Sequence, residues 1–312
     1  MKAITIFFYG LIISLTVSSI SLPTLAATKT TVPAKPAVTA PKKATTPVKK
    51  PAVKKPVVKK PVTKKVVKKP APPSVTYVKY AGGKVVASSQ ADKQLPPASM
   101  TKLMTALVIL DHKPDWGQKV TITQTHLDYP KVWVGNDVTS EVSLKLGDTV
   151  TVYDLWIAML VASSNQSARA LVDAVGMTHV GFLVEMNAKA KSLGLKQTVF
   201  KDVAGLSENT LTTAREMAVI AHEAFAQSAI IRGSAVSRYT IVATTAEGQT
   251  RSIAVADRNT SLRQFSPDAA KVGFLVEAQR TVSIKKGDVI VVVMHAMSMA
   301  ERNTILHRLL GV

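Results

Sequence analysis

Ser99, Met100, Thr101 and Lys102 open a strongly apolar stretch, Leu103 to Leu110. Three residues apart on a helix, a serine and a lysine lie on one face, within hydrogen-bonding reach. The Leu, Met, Ala, Val and Ile around Lys102 keep it largely out of water, which disfavours the ammonium and lowers its pKa toward neutrality. A lysine so placed can take the serine proton and turn Ser99 into a nucleophile. Pro96 and Pro97 forbid helix just before Ser99, which sets the serine at the positive end of the helix dipole, a place suited to an oxyanion. The same pattern arises by chance in chains of this length, and serine is a common helix starter. Other groups must decide between the two readings.

Two further groups bear on the choice. Ser163, Ser164 and Asn165 interrupt an otherwise apolar helical pattern from Leu155 to Val175. A serine and an asparagine two apart do not face the same way on a regular helix, so Ser163 and Asn165 converge only if the segment is a turn between two helices. There they could pass a proton to a leaving group and hold a substrate amide; an ordinary helix–helix turn is the plainer alternative. Lys271, Val272 and Gly273 sit in an expected strand before Phe274. Lys271 puts a charge where an apolar face is expected, and Gly273 lets a substrate backbone approach; a solvated strand face is the alternative. The six histidines show no close-spaced pair of the metal-ligand kind, so no metal or cofactor is expected. No glycine-rich phosphate loop and no Gly-x-Ser-x-Gly elbow are present.

The elements that must position these groups lie in residues 76–312, enough for one sizeable globular unit. Val75–Tyr80 and Lys84–Ser88 flank Ala81-Gly82-Gly83 as a hairpin. The Ser99 helix ends near His112-Lys113-Pro114, and a polar section poor in strand signal runs to about Gly147. Helical patterns cover Tyr153–Val175, Val180–Leu193 and Thr213–Ala226. Tyr239–Ala243, Ala270–Val276, Thr281–Ile284 and Val289–Met294 read as strands, and Ser298–Leu310 as a closing amphipathic helix. Strands at both ends with helices between predict an α+β fold, in which a mainly antiparallel sheet joins the two ends of the domain.

Before that domain the chain changes character. The 312 residues carry a net charge of +20, no cysteine and 46% apolar residues. Residues 1–75 hold 15 lysines and no acidic residue, so the remainder carries only +5. Residues 1–26 read as a secretory signal: Lys2, an apolar core from Ile4 to Ile20, and a small-residue cleavage site at Thr24-Leu25-Ala26. An uncut membrane anchor is the alternative, the apolar run being near the lower limit for a span. Either way the rest of the chain is expected outside the cytoplasm, periplasmic or in the cell wall, and the lack of cysteine fits. Residues 27–75 are a lysine- and proline-rich linker, extended and without a core. Export argues against nucleic acid as its partner. Anionic wall polymers or the membrane surface are the preferred ones, with simple reach from the membrane as the alternative.

Together, Ser99-x-x-Lys102, Ser163-x-Asn165 and Lys271-Val272-Gly273 resemble the penicillin-recognising serine enzymes, whose pattern is Ser-x-x-Lys, Ser-x-Asn and Lys-Thr-Gly. The likeness is to the D-alanyl-D-alanine carboxypeptidase/endopeptidase family of low-molecular-mass penicillin-binding proteins. Leu146-Gly147-Asp148, Asp154-Leu155-Trp156, Met186-Asn187-Ala188, Leu193-Gly194-Leu195 and Ala204-Gly205-Leu206-Ser207 extend it over roughly 76–312. The resemblance implies a serine peptidase acting on peptidoglycan stem peptides or cross-links through a Ser99 acyl-enzyme. Lys102 would be the base and Ser163 the proton shuttle, while Asn165 would bind the substrate amide. Lys271 would support the site's electrostatics and the terminal carboxylate, and the Ser99 and Phe274 N–H groups would form the oxyanion hole.

Val272 departs from the family pattern, keeping the shape of threonine without its hydroxyl. Loss of a hydrogen bond to a charged group costs ~1.5–3 kcal/mol. Weak carboxypeptidase activity and poor acylation by β-lactams are therefore expected. A catalytically weakened muropeptide-binding scaffold of the same fold is the alternative. A β-lactamase would need a group to activate the deacylating water, and no glutamate-bearing loop suggests itself for that role.

Overall fold

The computed structural model describes residues 75–312; the leader and nearly all of the linker lie outside them. Gly82 and Gly83, both at positive φ, close the expected hairpin between β1 (Thr76–Ala81) and β2 (Lys84–Ser89). The far end of the chain supplies β7 (Ala269–Leu275), β8 (Gln279–Lys286) and β9 (Val289–Ala296). Their order is β2-β1-β9-β8-β7, with every pair antiparallel. The sheet joining the two ends of the domain is thus present, in an α+β fold.

The unbroken apolar run Val289–Met294 is explained by cover on both faces of β9. Ile290, Val292 and Met294 belong to the main core, whereas Val291 and Val293 face a second cluster with Leu306 and Leu309. Leu306 and Leu309 lie on α8 (Met299–Leu310), whose N-cap Ser298 accepts a hydrogen bond from Glu301 N. The main core is filled by α1 (Thr101–Asp111), which is buried from Thr101 to Ile109.

Several elements were not foreseen. The polar section before Gly147 contains β3 (Lys119–Thr121) and α2 (Gln124–Val134). Pro130 inside α2 hides the helical signal, but Thr123 and His126 form a reciprocal capping box that starts it. After α3 (Val152–Val161), α4 (Asn165–Ala174), α5 (His179–Ser192) and α6 (Ala214–Ala224) comes an additional short helix, α7 (Ser228–Ser234). A second sheet, ordered β3-β4-β5-β6, adds the unforeseen β4 (Thr149–Thr151) and β6 (Thr250–Ala256) to β5 (Arg238–Thr244), the strand expected at Tyr239–Ala243. Ile241, Ala243, Ile253 and Val255 point inward while their neighbours face solvent. Among the described residues no helix is long and apolar enough to cross a membrane.

Candidate active site

Ser99 lies on a 3₁₀ turn, Ala98–Met100, that runs directly into α1. The Pro96-Pro97 pair stops the helix from starting earlier, and Ala98 takes φ +49°. Left-handed backbone at a non-glycine residue is strained and persists only where its surroundings dictate it. Here they do: Thr281 of β8 donates to Pro97 O at 3.0 Å, and the Gly205 Cα side packs on the Ala98 carbonyl so closely that a Cβ would sit 1.9 Å from that oxygen.

Lys102 is fully buried, as its apolar surroundings predict. Its Nζ donates to Ser99 Oγ at 2.9 Å, to Asn165 Oδ1 at 2.8 Å and to the Ala204 carbonyl at 2.8 Å. Burial lowers its pKa from 10.5 to about 8, against the opposing pull of the Glu141 and Asp202 carboxylates. Asp202 is itself fully buried. It accepts the N–H groups of Ala204, Gly205, Leu206 and Ser207 and so presents the Ala204 carbonyl to Lys102.

The stretch from Leu155 to Val175 is two helices, so Ser163 and Asn165 do converge. Ser163 takes φ +61° in the break, and Ser164 caps α4 by accepting from Ser167 N at 3.1 Å. Lys271, also fully buried, donates to Ser163 Oγ at 2.8 Å and to Val272 O at 3.0 Å. Burial and the charge of Lys102 drive its pKa well below the ordinary lysine value. Lys271 therefore does not lie on a solvated strand face. Gly273 has a steric reason of its own, since a Cβ there would meet Thr281 Oγ1 at 2.6 Å and Ser99 N at 2.8 Å. The absence of a side chain lets β7 press against the Ser99 turn.

A cleft of 470 Å³ takes in Ser99, Ser163 and Asn165 on one side and Val272, Gly273 and Phe274 on the other. All eight residues singled out in the sequence are thus brought together, six in the wall and the two lysines directly behind it. Sequence reasoning missed Glu141. It accepts from Asn165 Nδ2 at 2.8 Å and Thr139 Oγ1 at 3.1 Å through one oxygen, and from Ser164 Oγ at 2.9 Å and Gln166 N at 3.0 Å through the other. A carboxylate at a helix N-terminus is favourable, but Glu141 lies 24 residues from Asn165 and no local pattern announces it. Arg302, 3% exposed and lining the cleft, was also missed. Its Nη2 donates to Ser261 Oγ and Asn303 Oδ1.

Residues 63–298 match the D-alanyl-D-alanine carboxypeptidase family. This chain belongs to that family. Among family relatives, the D-alanyl-D-alanine carboxypeptidase DacC of Escherichia coli is 39% identical over 147 residues, 45% of this chain and 36% of the relative. The carboxypeptidase DacF of Bacillus subtilis is 30% identical over 244 residues, 76% of this chain and 60% of the relative. The chain therefore spans less than two thirds of the length of either. The crystal structure of the Streptomyces K15 DD-transpeptidase superposes with a TM-score of 0.69 at 26% identity, covering 78% of this chain and 98% of that one. These likenesses place the domain among D-alanyl-D-alanine carboxypeptidases by sequence and beside a DD-transpeptidase by fold.

Proposed function

We propose that this chain is an exported serine peptidase that cleaves D-alanyl-D-alanine bonds, at stem-peptide ends or in cross-links, through an acyl-enzyme on Ser99. One observation carries the reading. Of the three acceptors of Lys102, only Ser99 has a proton to give; Asn165 Oδ1 and the Ala204 carbonyl can only accept. When Lys102 loses its proton, its two remaining N–H groups stay on those two oxygens and the lone pair points at the Ser99 hydroxyl. A pKa of about 8 makes that form available near neutral pH.

Ser99 Oγ attacks the scissile carbonyl and passes its proton to Lys102. The N–H groups of Ser99 and Phe274 hold the oxyanion, each such donor contributing ~3 kcal/mol. The C–N bond breaks as the proton reaches the leaving amine by way of Ser163, which the Lys271 ammonium orients. Water then cleaves the acyl ester, with Lys102 again the base. Arg302 and Lys271 receive the carboxylate beside the scissile bond, compensating in part for the hydroxyl that Val272 lacks. Export rests on the leader at 1–26; the linker, 27–75, meets anionic wall polymers or the membrane surface.

Intact-protein mass spectrometry after incubation with a D-Ala–D-Ala peptide thioester tests the reading. An adduct on the wild type and none on Ser99→Ala is expected. With neither adduct nor released product, the chain is a binding scaffold instead.

A further inference from the structure

Two of the three acceptors around Lys102 Nζ are proton-free oxygens, Asn165 Oδ1 and the Ala204 carbonyl, and they decide where its lone pair points. Ala204 belongs to the turn that Asp202 closes. The bonds of Asp202 to the N–H groups of residues 204–207 and to Thr210 Oγ1 are all local, so they shape the turn without placing it against α1. Gly205 packs the turn on Ala98, and two hydrogen bonds from neighbouring helices meet at Val203. Thr105, one turn beyond Lys102 on α1, donates from Oγ1 to the Val203 carbonyl at 2.6 Å. Tyr129 of α2 accepts from Val203 N at 3.1 Å. Both peptide groups at Val203 are thus pinned, and the next carbonyl along the chain is the one Lys102 uses.

Tyr129 is buried and does not line the cleft. Burial and the charge of Asp202 hold its phenol above the ordinary tyrosine pKa, so the hydroxyl keeps its proton. His179 Nε2 of α5 lies 3.4 Å from the same oxygen. Burial and the charge of Arg169 hold that imidazole below the ordinary histidine value. A neutral phenol therefore faces a neutral ring to which it can donate, while its oxygen accepts from Val203. The same helix braces the other acceptor of Lys102. Gln166, next to Asn165, donates from Nε2 to the Leu127 carbonyl of α2 at 3.2 Å.

We propose that Tyr129, together with Thr105, clamps Val203 and so positions the Ala204 carbonyl on Lys102 Nζ, which makes Tyr129 a positioning residue for the proton transfer from Ser99. The proposal rests on the peptidase reading above and extends it to a side chain outside the cleft.

The test follows labelling of Ser99 against pH with two reagents, a D-Ala–D-Ala peptide thioester and a fluorophosphonate, which labels an activated serine without a peptide. Wild type is compared with Tyr129→Phe, Thr105→Val and Thr105→Ser. The charged groups around Lys102, namely Glu141, Asp202 and Lys271, are untouched by these changes. A carbonyl that accepts from the ammonium favours the charged form, so displacing it lowers the Lys102 pKa. In Tyr129→Phe the acid limb should move down by about half a pH unit and the plateau should fall about three- to tenfold, the reach of one displaced hydrogen bond. Thr105→Val should act in the same direction. Thr105→Ser, which keeps the hydroxyl, should stay within about twofold of the wild type. Tyr239→Phe, which removes a hydroxyl that donates to Asp154 Oδ1, should leave limb and plateau unchanged. An unmoved limb in folded Tyr129→Phe overturns the proposal, as does an equal shift in Tyr239→Phe. Where Tyr129→Phe does not fold, the limb of Thr105→Val decides in the same way. A limb shifted with the fluorophosphonate but no peptide adduct on any form supports the clamp and overturns the peptidase reading. No labelling of the wild type by either reagent overturns both.

Discussion

The two buried lysines form corners of one cleft that differ in how they are built and in what surrounds them. Lys102 and Ser99 are three residues apart on one turn, whereas Lys271 reaches Ser163 across 108 residues. Both ammonium groups are stripped of water. Lys102 keeps two carboxylates nearby, Glu141 and Asp202, and its pKa stops at about 8. Lys271 has Asp257 in its favour and Lys102 against it, and burial drives its pKa well below the ordinary lysine value. Equal burial thus gives unequal groups. Lys102 is poised to exchange a proton in the working pH range. Lys271 holds its charge best with an anion beside it, which the substrate carboxylate would supply.

The largest test of that contrast removes each ammonium in turn. Lys102→Met should lower acylation by at least about 10³-fold, because the general base is lost. Lys271→Met should act mainly through KM for a carboxylate-terminated peptide and spare much of the acylation rate of an ester without that carboxylate. Acyl-enzyme formation followed by mass spectrometry against time, with both substrates, separates the two. Equal losses on the uncharged ester would erase the distinction between base and anchor.

The same contrast decides what the sequence could disclose. Ser99 and Lys102 were legible because their relation is local: one helical turn, an apolar neighbourhood and two prolines in front. The break at Ser163 was legible as a condition, since Ser163 and Asn165 can share a site only across a turn. Lys271, by itself, reads equally well as a solvated strand residue; its burial follows from its approach to Ser163, 108 residues away, and from Gly273 pressing against the Ser99 turn, relations between distant parts of the sequence. Glu141 and Arg302 were hidden for the same reason. Each does its work through loop or cross-fold hydrogen bonds that leave no periodic trace. The large sheet was legible because strand signals, an alternating pair around Ala81-Gly82-Gly83 and β-branched runs bounded by turns, stand at both ends of the domain. The smaller sheet was missed because β3 and β4 are three residues each and β6 carries exposed polar residues at alternate positions.

Val272→Thr is the next test in size, and it acts on the anchor corner alone. A restored hydroxyl would donate to the substrate carboxylate. The gain should be roughly tenfold in kcat/KM for a terminal D-Ala–D-Ala peptide, the low end for a hydrogen bond to a charged group, since on the proposed reading Arg302 also receives the carboxylate. Acylation by a penicillin should rise in parallel, and cleavage of a substrate with an amidated terminus should stay unchanged. Steady-state kinetics with the acid and amide forms reads the difference. If both rates stay level, the missing hydroxyl is not what limits the anchor corner.

The smallest effect is expected at Glu141, on the base corner. Lys102 must be neutral to receive the Ser99 proton, so the relative acylation rate climbs as pH rises through about 8. The Glu141 carboxylate stabilises the ammonium and holds that climb at higher pH than burial alone would. In Glu141→Gln the negative charge is gone while an oxygen remains to accept from Asn165 Nδ2. The Lys102 pKa should fall, the acid limb should move to lower pH, and the rate at pH 7 relative to its plateau should rise about two- to fivefold, given tenfold per pKa unit. The plateau itself should drop, because the amide can no longer accept from both Ser164 Oγ and Gln166 N at the start of α4. The two readouts divide the roles of Glu141: a shifted limb reports its charge on Lys102, and a lowered plateau reports its hold on Asn165. An unmoved limb with a lowered plateau would show that burial and Asp202 set the base corner without Glu141, which then acts only as a positioning residue for Asn165.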